Sequence, residues 1–160
     1  MNMPIDPPPA PAAPTAADLS YRALLAATLL SGMLSSAWAA DAQLVVNLQG
    51  VRDEEGQLRV SLYAEPDSFR KEDKALRVLT QPAAKGDARL VFADVPPGRY
   101  AVMAYHDENA DNKLNLRFGM FPTEGYGLSN NPKVMGPPKF ADSAFEVAAP
   151  ETVIDLRLNY

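Results

Sequence analysis

The 160-residue chain contains no cysteine, one histidine and one tryptophan. Without cysteine there is no thiol nucleophile, no disulfide framework and no thiolate zinc site. Anchoring as a lipoprotein is excluded too, because that route needs a cysteine at the processing site. A single histidine cannot assemble a zinc centre, and no Ser or Asp stands at a spacing that suggests a triad with it. The nucleophile elbow G-x-S-x-G and a phosphate-binding loop are missing, and no pair of carboxylates stands apart from the acidic turns. The chain is therefore not expected to be an enzyme. Positive charge is also scarce: fifteen Lys and Arg face twenty Asp and Glu, for a net charge of −5. No basic run exceeds Arg70-Lys71. Nucleic acid, whose phosphates reward clustered cations, is not an expected partner.

Long apolar runs are missing as well. The one apolar stretch, residues 23–34 (ALLAATLLSGML), is short of the roughly 20 residues that cross a bilayer. It has the length of a signal-peptide core, and Ala37-Trp38-Ala39 supplies the small-x-small pattern that signal peptidase accepts. Residues 21–40 are accordingly read as a signal helix, cleaved after Ala39 or Ala40, leaving no stable membrane span. Upstream, residues 1–20 are rich in Pro and Ala and hold Asp6 and Asp18 with no Lys or Arg. They read as a disordered extension, or as sequence ahead of the true start. The expected location is periplasmic or secreted, and residues 41–160 form one domain large enough to bury about two-thirds of its unfolded surface.

What is present after Asp41 is alternation with a period of two. Leu44, Val46 and Leu48 alternate with Gln43, Asn47 and Gln49, and Leu58, Val60 and Leu62 repeat the pattern. Further strands are predicted over 75–80, 88–94, 99–106, 143–148 and 151–158, with a helical turn within 66–74. Asp53-Glu54-Glu55-Gly56 and Lys85-Gly86-Asp87 read as hairpin turns. Seven short strands with such punctuation predict an all-β fold, a seven-stranded antiparallel β-sandwich.

Pro96-Pro97-Gly98-Arg99-Tyr100 reads as a structural turn. The prolines set the approach, Gly98 supplies a positive φ, and Tyr100 enters the next strand with its hydroxyl free to bond backbone, as in a tyrosine corner. From 107 to 142 the alternation stops, over a stretch far longer than an ordinary loop. Its aromatic residues, Phe118, Phe121, Tyr126 and Phe140, argue for an ordered excursion packed over one end or face of the sandwich. It opens on an acidic turn in which Asp107, Asn109, Asp111 and Asn115 follow the oxygen spacing of a calcium loop, with Lys113 contributing its carbonyl. An EF-hand would place Gly at 112 and Glu at 118, where this chain has Asn112 and Phe118. The alternative is an Asx-rich turn whose side chains bond their own backbone. Calcium is the only cofactor considered. His106 is read as orienting this turn by hydrogen bonds. Glu124, Tyr126, Asn130 and Phe140, with His106, form a candidate binding surface, Tyr126 and Phe140 being its rigid anchors. The competing reading makes the whole excursion a plug over a sheet edge or face.

These blocks in their order, Gly50 to Tyr63, PPGRYAV through HDEN to Asn115, PTEGYGLSNN and GPPKF-x-D, resemble the DUF2141 family, a bacterial domain of unknown function. The resemblance spans nearly all of residues 41–160. It implies an exported protein, and the PPGxY entry is similar to that of transthyretin-like and other immunoglobulin-like sandwiches. Family members often carry Gly within the acidic turn and Asp at its end, where Ala110, Asn112 and Asn115 stand here. The functional expectation is a non-catalytic binding or accessory module with an envelope or extracellular ligand or protein as partner. The alternative is a structural envelope protein whose calcium loop stabilises the fold.

Overall fold

The computed structural model describes residues 41–133 and 136–160. The expected signal helix, residues 21–40, and the expected extension, residues 1–20, lie outside the described residues. Ten strands are present: β1 (Ala42–Val51), β2 (Gln57–Tyr63), β3 (Arg77–Pro82), β4 (Gly86–Val95), β5 (Gly98–Asp107), β6 (Leu116–Arg117), β7 (Phe121–Pro122), β8 (Tyr126–Leu128), β9 (Phe145–Val147) and β10 (Glu151–Arg157). A 3₁₀ turn, Glu72–Lys74, precedes β3, and a four-residue helix α1, Phe140–Ser143, precedes β9.

The first sheet has the order β10-β1-β4 and the second β3-β2-β5-β8, with β9 also on β5; β6 and β7 make a separate two-stranded ribbon. The alternation read from sequence places one set of side chains inward. Leu44, Val46, Leu48, Leu90, Phe92 and Leu156 of the first sheet meet Leu58, Val60, Leu62, Val102 and Ala104 of the second in one core. Burying several Leu, Val and Phe side chains there, at about 1.5–3 kcal/mol each, is the main force holding the sheets face to face. The outer face of the second sheet is covered too. Tyr63, Phe69, Ala101, Leu128 and Phe140 form a second apolar cluster, joined by edge-to-face ring contacts of 5.5 Å for Tyr63–Phe69 and 5.9 Å for Phe69–Phe140.

Several expectations are corrected. The strands are not seven, because the excursion supplies β6, β7 and β8 and two short strands pair along different ends of β5. They are not all antiparallel: β1 pairs β10 in parallel, Gln43 opposite Glu151 through Gln49 opposite Arg157. Period-two alternation reports which face a residue takes and says nothing of strand direction. Asp53–Gly56 and Lys85–Asp87 are not hairpin turns, since each carries the chain from one sheet to the other. A short polar turn serves a hairpin and a sheet crossing equally well.

The Pro96–Tyr100 turn also crosses between sheets. Tyr100 donates its hydroxyl to the Pro96 carbonyl at 3.0 Å while its ring joins the core. Gly98, however, is not the positive-φ residue; Asp94 is, at φ 52. A Cβ at position 98 would meet the Tyr100 ring at 3.4 Å, an ordinary contact, so neither φ nor space singles out glycine there.

Candidate functional site

The acidic turn begins where β5 ends. Asp107 is fully buried and has no cation against it. Its charge is met by donors instead: the backbone N–H of Asp111 on Oδ1 at 3.0 Å, and on Oδ2 the N–H of Asn112 at 2.9 Å and the Gln57 amide at 2.8 Å. The turn continues in the same manner. Asn109 Oδ1 accepts from Asp111 N–H at 3.0 Å, and Asp111 Oδ1 from Lys113 N–H at 2.9 Å. Ala110 and Asn112 take positive φ, 56° and 64°, and at 112 the calcium-loop pattern has glycine. Lys113 is exposed. Oxygens at calcium-loop spacing are thus turned largely onto the turn's own backbone, the Asx pattern. Among the described residues no group of three or more His, Asp or Glu converges as a metal site.

Two residues outside the motif hold the turn to the sheet. Arg59 reaches Asn112 Oδ1 at 2.6 Å and also ion-pairs with Glu72 of the 3₁₀ turn; Gln57 bonds Asp107 and Asn112 together. Both lie on β2, and no pattern in the sequence marks them as partners of a turn some fifty positions later.

Glu124 closes the turn from its far side. Buried, it accepts Glu108 N–H on Oε1 at 3.2 Å and Asn115 N–H on Oε2 at 2.9 Å. Burial, the largest influence, raises its carboxyl above the usual range, opposed by the Asn115 N–H. Beside it lies a shallow polar pocket lined by Glu55, Glu108, Asn109, Asn115, Thr123 and Glu124. Glu108 Oε1 and Asn115 Oδ1 are buried there without a hydrogen-bond partner.

The His106 side chain, expected to orient the acidic turn, hydrogen-bonds elsewhere. It is fully buried, with Nε2 2.6 Å from the Glu55 carbonyl and Nδ1 2.9 Å from Tyr160 Oη. The carbonyl can only accept, so Nε2 carries a proton. Tyr160 Oη accepts from Arg52 N–H at 2.9 Å as well as contacting Nδ1. Through these contacts the buried imidazole ties the β1–β2 connection to Tyr160. Burial raises the Tyr160 phenol above its ordinary value, and the Arg52 guanidinium stacks 4.6 Å from its ring centre.

The remaining candidate residues separate. Phe140 is no surface anchor; it packs on Phe69 in the outer cluster of the second sheet. Asn130 is exposed and donates to the Ala144 carbonyl at 2.9 Å, holding α1 in place. The neighbouring Ser129, unremarked in the sequence, is fully buried and donates to the Ser143 carbonyl. Where Glu124 borders the shallow polar pocket, Tyr126 opens onto a second concavity. This groove, about 530 Å³, runs where β8 meets β10, lined by Tyr126, Gly127, Asn131, Pro132, Lys133 and Arg157, with Gln49 and Asn159 at its floor and end. Its shape depends on β8 lying tight against the C-terminal strand. Tyr126 and Asn159 exchange backbone bonds at 2.9 and 2.8 Å, and Asn131 clamps β10 by accepting Arg157 N–H at 2.8 Å and donating to the Asp155 carbonyl at 3.0 Å. The glycines around Tyr126 serve that approach: a Cβ on Gly127 would stand 2.3 Å from the Arg157 carbonyl.

The groove lining contains Lys133 and Arg157 and no carboxylate. Both cations are exposed, and among the described residues neither forms an ion pair. No residue type at 133 or 157 distinguishes them in the sequence from other surface cations.

Among the described residues no helix is long and apolar enough to cross a membrane. No curated protein and no solved structure matches the chain. A family model described as an uncharacterized protein conserved in bacteria matches residues 46–155, which takes in both sheets, the acidic turn and the β8 side of the groove. The chain belongs to this family, DUF2141.

Proposed function

We propose that the domain is an exported, non-catalytic binding module that takes an acidic ligand in the groove between β8 and β10. Two sheets facing across one core support a β-sandwich of the transthyretin-like or immunoglobulin-like kind, and the short apolar run before Asp41 supports export. The observation that carries the reading is electrostatic. A chain of net charge −5 lines this groove with a tyrosine, several carboxamides and two cations that form no ion pair among the described residues, and with no acid among the residues lining it. Guanidinium and ammonium donors bind carboxylates by charge-assisted hydrogen bonds, while a half-buried tyrosine and amides suit a sugar ring or a peptide plane. Against catalysis stands the absence of any nucleophile hydrogen-bonded to a base in this groove.

Calorimetric titration of the full chain with an oligogalacturonate, and in a second arm with an oligoglutamate, tests the assignment. One of the two should bind, and a neutral oligosaccharide of equal length should not. R157Q/K133Q should weaken the interaction at least about tenfold, the effect of losing charge-assisted contacts of about 1.5–3 kcal/mol each. Equal heats from acidic and neutral probes, or binding indifferent to the double substitution, sink the proposal.

A fold-stabilising calcium ion at the acidic turn is the second reading. In its favour stand the unpartnered oxygens of Glu108 and Asn115 beside the polar pocket. If calcium binds with the modest affinity of extracellular modules, a few millimolar should raise the melting temperature relative to chelator, by mass action. A melting curve unmoved by calcium removes this reading.

A further inference from the structure

Four large apolar side chains stand in solvent on one short segment. Leu116 is 47% exposed, Phe118 78%, Met120 69% and Phe121 61%. They occupy the β6–β7 ribbon, where Leu116 pairs Pro122 and Arg117 pairs Phe121. The ribbon is fastened to the domain at its base, with Thr123 N–H and Oγ both donating to the Asn115 carbonyl at 2.9 and 3.2 Å. Neither core cluster includes any of the four side chains.

The tip itself is strained. Met120 N–H closes a turn on the Arg117 carbonyl at 3.2 Å, with Phe118 at φ 55 and Gly119 at φ 70. Glycine or asparagine occupies such left-handed positions readily, and a bulky side chain does not. Nothing within the domain rewards a phenylalanine there, since its ring packs on no core residue. A cation does lie over the ring: the Arg117 guanidinium is 5.2 Å from its centre. A second exposed cation, Lys113, sits on the chain leading into the ribbon.

Three occupants could cover such a tip: a second copy, a protein pocket or a lipid surface. The exposed portions of the four side chains total only about 500 Å², given aromatic side chains of about 150–250 Å². A stable protein interface needs about 800 Å² per partner, so pairing of two copies through this tip alone falls short. A narrow projecting ribbon ending in aromatic and thioether groups, with cations directly behind them, matches the layering of a membrane interface. There apolar rings enter the acyl boundary and Arg and Lys remain among anionic headgroups.

We propose that the β6–β7 ribbon is a finger that inserts Phe118, Met120 and Phe121 into the surface of an anionic phospholipid membrane, with Arg117 at the headgroups. The function is separate from the acidic-ligand groove and does not depend on it. In an exported protein it would hold the domain at a membrane face of the envelope.

The single tryptophan, Trp38, allows a local test in the full chain. In W38F/F118W the only tryptophan reports from the tip, whatever residues 1–40 do. With vesicles of phosphatidylethanolamine and phosphatidylglycerol its emission should shift to the blue and be quenched by lipids brominated on the acyl chain. F118S/M120S/F121S, in residues that belong to neither core cluster, should leave the melting curve in place and lower partitioning to the same vesicles at least about tenfold. Emission at 118 that ignores the vesicles overturns the proposal. So does a blue shift that grows with protein concentration without lipid, which would place the tip in a second copy.

Discussion

Asp107 and Glu124 show how single carboxylates organise a turn without a counter-ion. Each is buried and accepts two backbone N–H groups, Asp107 from the adjacent Asp111 and Asn112, and Glu124 from Glu108 and Asn115 at the two ends of the turn. For Glu124 the balance tips toward the neutral form: burial outweighs the N–H donors and raises its carboxyl. The sign of the linkage follows. A carboxyl whose folded value exceeds its unfolded one holds its proton more tightly in the native state, so its protonation favours folding at low pH. That contribution is lost as pH rises from the ordinary glutamate value through the raised one. In E124Q the side chain cannot ionise, and one of the two N–H groups loses its acceptor at every pH. Melting of wild type and E124Q between about pH 4 and about pH 7 should therefore show the wild type's advantage shrinking as pH rises. An advantage that widens would mean that the ionised carboxylate is the stabilising form.

At the scale of elements, β8 is the piece on which both the closed edge and the groove depend. It is three residues long, too short to stand by itself, and is held by β5 on one side and the C-terminal chain on the other. The two glycines beside Tyr126 are not equivalent. A Cβ on Gly127 meets the Arg157 backbone carbonyl at 2.3 Å, while one on Gly125 meets the Tyr160 ring at the same distance. The half-exposed ring can move aside at the expense of its hydroxyl's contacts with Arg52 and His106, and a paired strand backbone cannot move at all without breaking the seam. Gly127→Ala should cost about 1–3 kcal/mol, as overpacking does, and should abolish ligand binding by prising β8 from β10. Gly125→Ala should cost less. Urea denaturation of the two variants decides the order, and equal losses would refute the tight β8–β10 seam.

The excursion between β5 and β9 is neither wholly plug nor wholly binding surface, because its parts serve different neighbours. Phe140 covers the outer face of the second sheet, Tyr126 borders the groove, and the β6–β7 ribbon projects into solvent. Aromatic content alone could not assign these roles. Phe118 and Phe140 are the same residue type, and one is 78% exposed where the other is 9%.

For the whole molecule, stability rests on the shared core and on β10 entering beside β1. Leu156, near the end of that parallel pairing and fully buried, faces the core and lies under Gly127. Leu156→Ala should therefore cost about 2–5 kcal/mol, read as a fall in the urea midpoint. A loss below about 0.5 kcal/mol, the range of surface substitutions, would show the C-terminal strand to be peripheral.

Seven of the ten strands, their inward residues, the Tyr100 hydroxyl bond and the Asx-rich turn were legible from residues 41–160, because each depends on contacts close in sequence or on a face that alternation declares; β6, β7 and β8, too short to alternate, were not. Family membership was legible for the same reason, in contiguous blocks such as HDEN and EGYG. What only the tertiary structure decided is which strands adjoin and in which direction, that His106 lies inside against Glu55 and Tyr160, and that Lys133 and Arg157 share one groove. These depend on residues about 25 to 110 positions apart, brought together by two sheets closing on one core. Hydrophobic patterning sets how strongly a side chain seeks that interior; it carries no information about which distant residue waits there.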